Sequence, residues 1–269
     1  MDIVDKRILS FFLKDGRISQ RRIASLLNLT PASLNYRFRK LVDSNILKGF
    51  KLYINPNFYG QYQLYIAFKN YKEIDADWIS FKLRCLEWLN VYGIYGSSQT
   101  ELKDRIEYMR KELGDPILTY LPVQYKLKPS SLDKKIVEML KEDPRLASSE
   151  ISKKLGINSR VIEKHIRHMR FRGMILIVPE INLGRADIVI FSMFSKRIED
   201  ISPVLQECKL WQFTDGYAGI TVCYADNVEG AKKYINGARE VDKDSDVMII
   251  YDYEFKTMKQ SPESTSSPF

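Results

Sequence analysis

The sequence predicts an α+β chain built as two tandem copies of a winged helix-turn-helix, each followed by a βαββαβ ferredoxin-like body. Three observations carry this. Residues 131–175 restate residues 3–47 without a gap at a constant offset of 128, with eight identities over 45 positions. Each copy opens with three short amphipathic helical patterns and then a β-like run. Each is followed by a segment in which strand and helix periods alternate. So long a repeat fixes the architecture, and its period exceeds that of a solenoid unit, so whole domains are duplicated. The boundaries read as 1–58 and 129–180 for the winged helices, 59–128 and 181–257 for the bodies, and 258–269 for a disordered tail.

Composition limits the function. The chain has 269 residues and a net charge of +8, and the charge is segregated. Residues 1–50 carry +6 and residues 131–178 carry +5, whereas 51–130 carry +2 and 179–269 carry −5. Positive charge confined to both repeats is the footprint of nucleic-acid-binding heads on a near-neutral body. No apolar run is long enough for a membrane helix and no secretory signal opens the chain. Three well-separated cysteines, Cys85, Cys208 and Cys223, argue against a disulfide framework and for a reducing cytoplasm.

In the first copy, Ile3, Val4, Ile8, Phe11 and Phe12 recur at helical spacing, and Asp15-Gly16 ends that helix. Ser19 caps a short second helix that carries Arg21 and Arg22. Thr30-Pro31 opens the third, a capping hydroxyl followed by proline at the first helical position. Leu34, Phe38 and Leu41 face inward at i, i+4, i+7. The opposite face offers Ser33, Asn35, Tyr36, Arg37, Arg39 and Lys40. A link this short between second and third helices fits a helix-turn-helix, and residues 46–54 read as two short wing strands around Lys48-Gly49.

The second copy repeats the scheme. Ser130 or Ser131 caps its first helix, Asp143-Pro144 ends it, Gly156 turns the chain and Asn158 caps the third helix. That helix bears Ser159, Arg160, Lys164, Arg167, Arg170 and Arg172 against Glu163, and Gly173 stands at its C-terminal cap. Arg160 and Lys164, with Asn35 and Arg37 in the first copy, are the candidates for reading bases, since Arg, Lys and Asn match major-groove donor and acceptor patterns. His165 and His168 are the two histidines of the chain; without cysteine or acidic company they read as DNA-facing or solvent-exposed, not as metal ligands. Ile175–Val178 would begin a wing that Pro179 cuts short.

In the second body the pattern gives a strand at Asp187–Ser195, a helix at Ile198–Cys208, strands at Trp211–Tyr217 and Ile220–Tyr224, a helix at Val228–Arg239 and a strand at Val247–Phe255. The first body follows less faithfully. It reads as a strand at Leu64–Phe68, a helix at Trp78–Leu89, a strand at Asn90–Tyr95, a short or missing strand near Gly96–Thr100, a helix at Leu102–Leu113 and a strand at Ile117–Leu127.

The run Asp5-Lys6-Arg7-Ile8-Leu9, then Asp15-Gly16-Arg17-Ile18-Ser19, Ile23-Ala24 and Leu27-Asn28-Leu29-Thr30, resembles the DNA-binding domain of the Lrp/AsnC family of bacterial and archaeal transcription regulators, as does the matching run from Asp133. The resemblance spans nearly the whole chain, and its specific half is the DNA-binding part. It implies an effector-type body, two bodies paired through their sheets, and two winged helices presented together to double-stranded DNA. With both halves on one polypeptide the chain is expected to imitate the usual dimer. Unlike recognition helices then favour an asymmetric site over a palindrome. The resemblance further implies self-association through the bodies and an amino-acid effector near the loop between the second and third body strands. Here those loops are Asp215–Gly219 and Gly93–Ser98. Asp215, Gly216 and Gly219 are the nearest ligand candidates, with no residue match to the family.

Two other classes compete. Siroheme decarboxylases resemble Lrp/AsnC proteins as paired or fused halves, and that resemblance implies His and Arg at a tetrapyrrole site in the bodies. Residues 51–130 and 179–269 contain no histidine. Nor is there a Gly-rich phosphate loop, a zinc-helix motif or a nucleophile elbow. A non-regulatory tandem winged-helix scaffold or replication initiator is the other class. The sequence therefore predicts a DNA-binding regulator, not an enzyme, with no cofactor, no metal and no membrane partner.

Overall fold

The computed structural model describes residues 1–87, 89–214 and 217–258. The first head comprises α1 (Ile3–Lys14), α2 (Gln20–Leu26) and α3 (Pro31–Asp43). The second comprises α5 (Ser131–Glu142), α6 (Ser148–Leu155) and α7 (Ser159–Phe171). The predicted caps form. The side chains of Ser19, Thr30 and Asn158 accept from the amides of Arg22, Ser33 and Arg160. Ser130 and Asp133 make a capping box at the start of α5. Gly156 and Gly173 adopt positive φ where each helix turns off.

Each head is completed by the other copy, which the sequence does not show. Strand β1 (Leu47–Ile54) follows the first head and β6 (Ile175–Ile181) the second. Neither folds back as a wing hairpin around Lys48-Gly49. They pair with each other, antiparallel, from Leu47 opposite Ile181 to Ile54 opposite Ile175. The predicted wings are thus one shared ribbon. Pro179 lies within β6 instead of cutting it short, because a two-stranded ribbon leaves alternate backbone nitrogens without a ladder partner. The ribbon crosses the cores. Leu52 and Ile54 of the first copy, both fully buried, pack with Ile136, Val137, Leu140, Ile162 and Met169 of the second head. Val178 and Ile181 join the core that contains Ile8, Phe12, Leu34 and Leu41. Gly16 serves this crossing: a Cβ there would overlap the Ile177 carbonyl.

The bodies form an eight-stranded sheet in the order Leu118–Tyr120, Tyr62–Lys69, Leu89–Gly96, Ile79–Cys85, Asp246–Phe255, Val189–Ser195, Gly219–Ala225, Lys209–Thr214. The second body is β7 (Val189–Ser195), α9 (Ile198–Leu205), β8 (Lys209–Thr214), β9 (Gly219–Ala225), α10 (Val228–Val241) and β10 (Asp246–Phe255), preceded by a single turn α8 (Leu183–Ala186). This is the expected βαββαβ order.

The first body departs from it. It contains β2 (Tyr62–Lys69), β3 (Ile79–Cys85), β4 (Leu89–Gly96), α4 (Gln99–Leu113) and β5 (Leu118–Tyr120). The helix expected at Trp78–Leu89 is β3, and the strand expected to be short or missing near Gly96–Thr100 is missing, since α4 begins there. Phe81, Leu83 and Cys85 point to the shared core at every second residue, which is strand spacing. Both bodies still share the ferredoxin-like strand order, and α4 covers the outer face of the first, with Ile74 buried in the same cluster.

The sheet curls so that its inner faces meet in an aromatic core. Ring centroids of Tyr65 and Phe213 lie 4.9 Å apart, Trp211 and Phe255 5.4 Å, and Phe81 and Phe255 5.6 Å. The two seams between bodies are unlike. At one, the ten-residue β10 pairs with β7 through Asp246–Ile250 and with β3 through Ile250–Phe255. At the other, β5 stops at Tyr120 although a strand to Leu127 is expected. Beyond Pro122 the chain turns toward the start of β2, where the Gln124 amide takes both backbone groups of Gln63, at 2.9 and 3.0 Å.

Two further expectations are corrected. Cys208 and Cys223, well separated in the sequence, sit side by side within reach of a disulfide, with Cα atoms 4.9 Å apart. Fifteen residues apart in sequence, they are brought together because β8 pairs with β9 and sets Lys209 opposite Cys223. Cys85 is free and buried, and burial pushes its thiol up to about 12. Met258, assigned to the tail, is buried, while residues 259–269 lie outside the described residues. No helix among the described residues is long and apolar enough to cross a membrane.

Candidate nucleic-acid interface

The third helix of each head carries the candidate residues, and packing sorts them. On α3, Asn35, Tyr36, Arg39 and Lys40 are exposed, Tyr36 at 71%. Ser33 is half-buried and its amide closes the Thr30 cap. On α2, Arg21 and Arg22 are exposed. On α7, Arg160, Lys164 and His168 are exposed, Ser159 is half-buried, and Arg167 pairs loosely with Glu163 at 3.2 Å in solvent. The structure thus gathers on each head a polar, mostly basic face that leads with the N-terminal half of its third helix.

Two predicted DNA-facing side chains, Arg37 and His165, make contacts inside the heads. Arg37 bridges Asp2 at 2.6 Å and Asp5 at 2.7 Å, tying α3 to the start of α1. The hydrogen bond from Arg37 holds the Asp2 carboxyl below the usual carboxylate range. His165 makes the same tie one copy later: its Nδ1 lies 2.8 Å from Asp133 Oδ1. Burial alone would raise the Asp133 carboxyl; hydrogen bonds from His165 and Ser130 outweigh it and hold that carboxyl low. The offset of 128 carries Arg37 onto His165 and Asp5 onto Asp133, so one structural tie is written twice with different chemistry. The reason is geometric: both positions lie on the side of the third helix that faces the first. Arg37 Nη1 and His165 Nδ1 are thereby engaged within their own heads.

Sequence reasoning missed what locks the heads together. The Arg17 guanidinium donates to the carbonyls of Pro144 at 2.9 Å and Leu146 at 2.8 Å, and Arg145 donates to the carbonyl of Ile18 at 3.0 Å. Arg17 and Arg145 are equivalent under the repeat, as are Ile18 and Leu146, so the bonds are reciprocal, as in a two-fold interface. Arg145 also stacks over Phe50 at 4.5 Å and Phe12 at 5.0 Å. Arg170, counted with the basic face, instead reaches across to Asp15 at 2.5 Å. A signal was present: Arg17/Arg145 is among the eight identities, yet both sit in loops after the first helix, where no head core requires arginine.

Of the ligand candidates, Asp215 and Gly216 lie outside the described residues. Gly219 opens β9, where a Cβ would crowd the Phe213 carbonyl, so this glycine serves strand packing. Among the described residues no group of three or more His, Cys, Asp or Glu is placed to hold a metal ion.

A model of winged helix-turn-helix DNA-binding domains matches the chain twice, at residues 1–48 and 130–175. Both heads are winged helix-turn-helix domains. The repeating unit is one such head followed by a four-stranded body, here in tandem. Among similar proteins, an uncharacterized HTH-type transcriptional regulator of Pyrococcus abyssi is 40% identical over 55 residues, covering 20% of this chain and 37% of that protein. The HTH-type transcriptional regulator FL11 of the same organism is 26% identical over 110 residues, 39% of this chain and 70% of FL11. The winged-helix match therefore spans little more than a third of the first relative's length. A crystal structure of the siroheme decarboxylase NirDL aligns over 96% of this chain and 94% of that one, at 15% identity and a TM-score of 0.49.

Proposed function

We propose that this chain is a sequence-specific, double-stranded-DNA-binding transcription regulator in which one polypeptide supplies both heads of a dimer. The observation that carries the reading is the reciprocal Arg17/Arg145 lock, which holds two exposed basic third helices as one unit. Asn35, Tyr36, Arg39 and Lys40 on α3, and Arg160, Lys164 and Arg167 on α7, contact DNA, while Arg37, His165 and Arg170 hold the heads in shape. Because α3 and α7 present different side chains, the preferred site is asymmetric. We read the chain as a cytoplasmic binder and not as an enzyme: one of its two histidines is tied to Asp133, and the two curated relatives described above are named as regulators.

The test is fluorescence anisotropy of labelled duplexes across a salt series, including the region upstream of the protein's own gene. A steep fall of affinity with salt and a preferred sequence are expected. Arg160→Ala with Lys164→Ala removes two cationic contacts and should weaken binding of the preferred duplex by at least about tenfold. Unchanged affinity in a folded variant sinks the assignment of α7.

A further inference from the structure

The unequal seams leave a cavity of about 500 Å³ beside the end of α7. At the closed seam β10 runs on to Phe255 and pairs with β3. At the open seam the chain after β5 is drawn toward β2 by Gln124, and the outer edge of β8 has no strand partner among the described residues. The space is walled by aromatic rings from both copies, among them Tyr65, Trp211, Phe213 and Phe255. Among the described residues its charged lining is Arg170 and Arg172 at the end of α7, with no aspartate or glutamate. Arg170 is engaged by Asp15, whereas Arg172 is exposed and makes no ion pair among the described residues. At the rim, Phe171 is 88% and Tyr125 55% exposed.

We propose that this open seam binds an aromatic carboxylate, its ring system held between the aromatic walls and its carboxylate met by Arg172. Apolar aromatic walls select a ring, and an Arg172 with no ion pair among the described residues selects an anion. A zwitterionic amino acid fits less well, since its ammonium would meet the same arginines with no carboxylate among the described lining residues. The size suits a small polycyclic ligand. The site joins both bodies to the last turn of α7, so its occupant would touch one head and not its counterpart.

This inference does not rest on the DNA-binding reading, and neither does its test. The full-length protein is titrated calorimetrically with 2-naphthoate, with neutral 2-naphthalenemethanol, and with 2-naphthylmethylammonium. The acid is expected to bind below millimolar concentration, and the alcohol and the cation at least about tenfold more weakly. Arg172→Gln, at an exposed position, should cost the acid about tenfold while leaving thermal unfolding unchanged. Val123→Trp, on the half-exposed strap that lines the cavity, should fill it and abolish binding of all three. No saturation by 2-naphthoate up to millimolar concentration, equal affinity for acid and alcohol, or an Arg172→Gln variant that binds as wild type would each overturn the proposal.

Discussion

Leu52 belongs by sequence to the first copy, yet its fully buried side chain lies in the core of the second head. Leu52→Ala therefore tests the exchange of ribbons. The change removes three carbon-bearing groups, worth roughly 2.4 kcal/mol of transfer free energy at about 0.8 per group. The cavity left among Ile136, Leu140 and Met169 adds to this, for a total of about 3–4 kcal/mol. At about 1.4 kcal/mol per factor of ten, the affected head opens at least ~100-fold more often. Amide hydrogen exchange followed by mass spectrometry reads where. Protection should fall in residues 131–171 and stay near wild type in α1–α3, although the mutation sits only a few residues after α3. Loss of protection confined to residues 3–43 would refute the exchange and restore two self-contained heads.

Further expectations concern the ties between third and first helices. Arg37→Ala should cost about 2–3 kcal/mol of stability, because it leaves the buried Asp5 carboxylate without its guanidinium. Arg39→Ala should leave stability nearly unchanged and weaken DNA binding more than Arg37→Ala does; chemical denaturation and anisotropy on both variants separate the roles. The lowered Asp133 carboxyl gives an acid dependence. Its stabilisation is fully present above the unfolded value of about 3.9 and is lost as pH falls through the lower folded value. Urea midpoints measured from pH 6 to pH 2 should thus fall less steeply for Asp133→Asn than for wild type, and parallel curves would count against the tie.

The heads were legible because their signals are local. Capping hydroxyls, Pro31, Gly156, Gly173 and the 3.6-residue apolar stripes act within a few residues, and the repeat states them twice. The second body was legible for the same reason, with strand and helix periods well separated. In the first body the alternation Ile79-Ser80-Phe81-Lys82-Leu83-Arg84-Cys85 is a strand pattern, and expectation of a second βαββαβ unit overrode it. Pairing partners were not legible: nothing local in Leu47–Ile54 distinguishes a hairpin from a ribbon shared with residues 175–181, because that choice is decided by contacts more than a hundred residues away. The candidate faces were half legible. Composition marked α3 and α7 as basic, but only packing shows that Arg37, His165 and Arg170 are spent on holding helices together.

The shared ribbon also sets an order of events during synthesis. The first head leaves the ribosome complete in its helices but without Val178 and Ile181, which close its core. About 130 further residues must be made first, and at roughly 5–20 residues per second that interval is on the order of ten seconds. Until then, apolar surface around Phe12 and Phe50 waits uncovered, and the nascent chain is at its most vulnerable to aggregation or to a neighbouring copy's ribbon. The second head has no such delay, since Leu52 and Ile54 are already present when α5–α7 emerge. The two heads, so alike in the finished molecule, have unequal histories: the second matures as it is made, and the first waits for it.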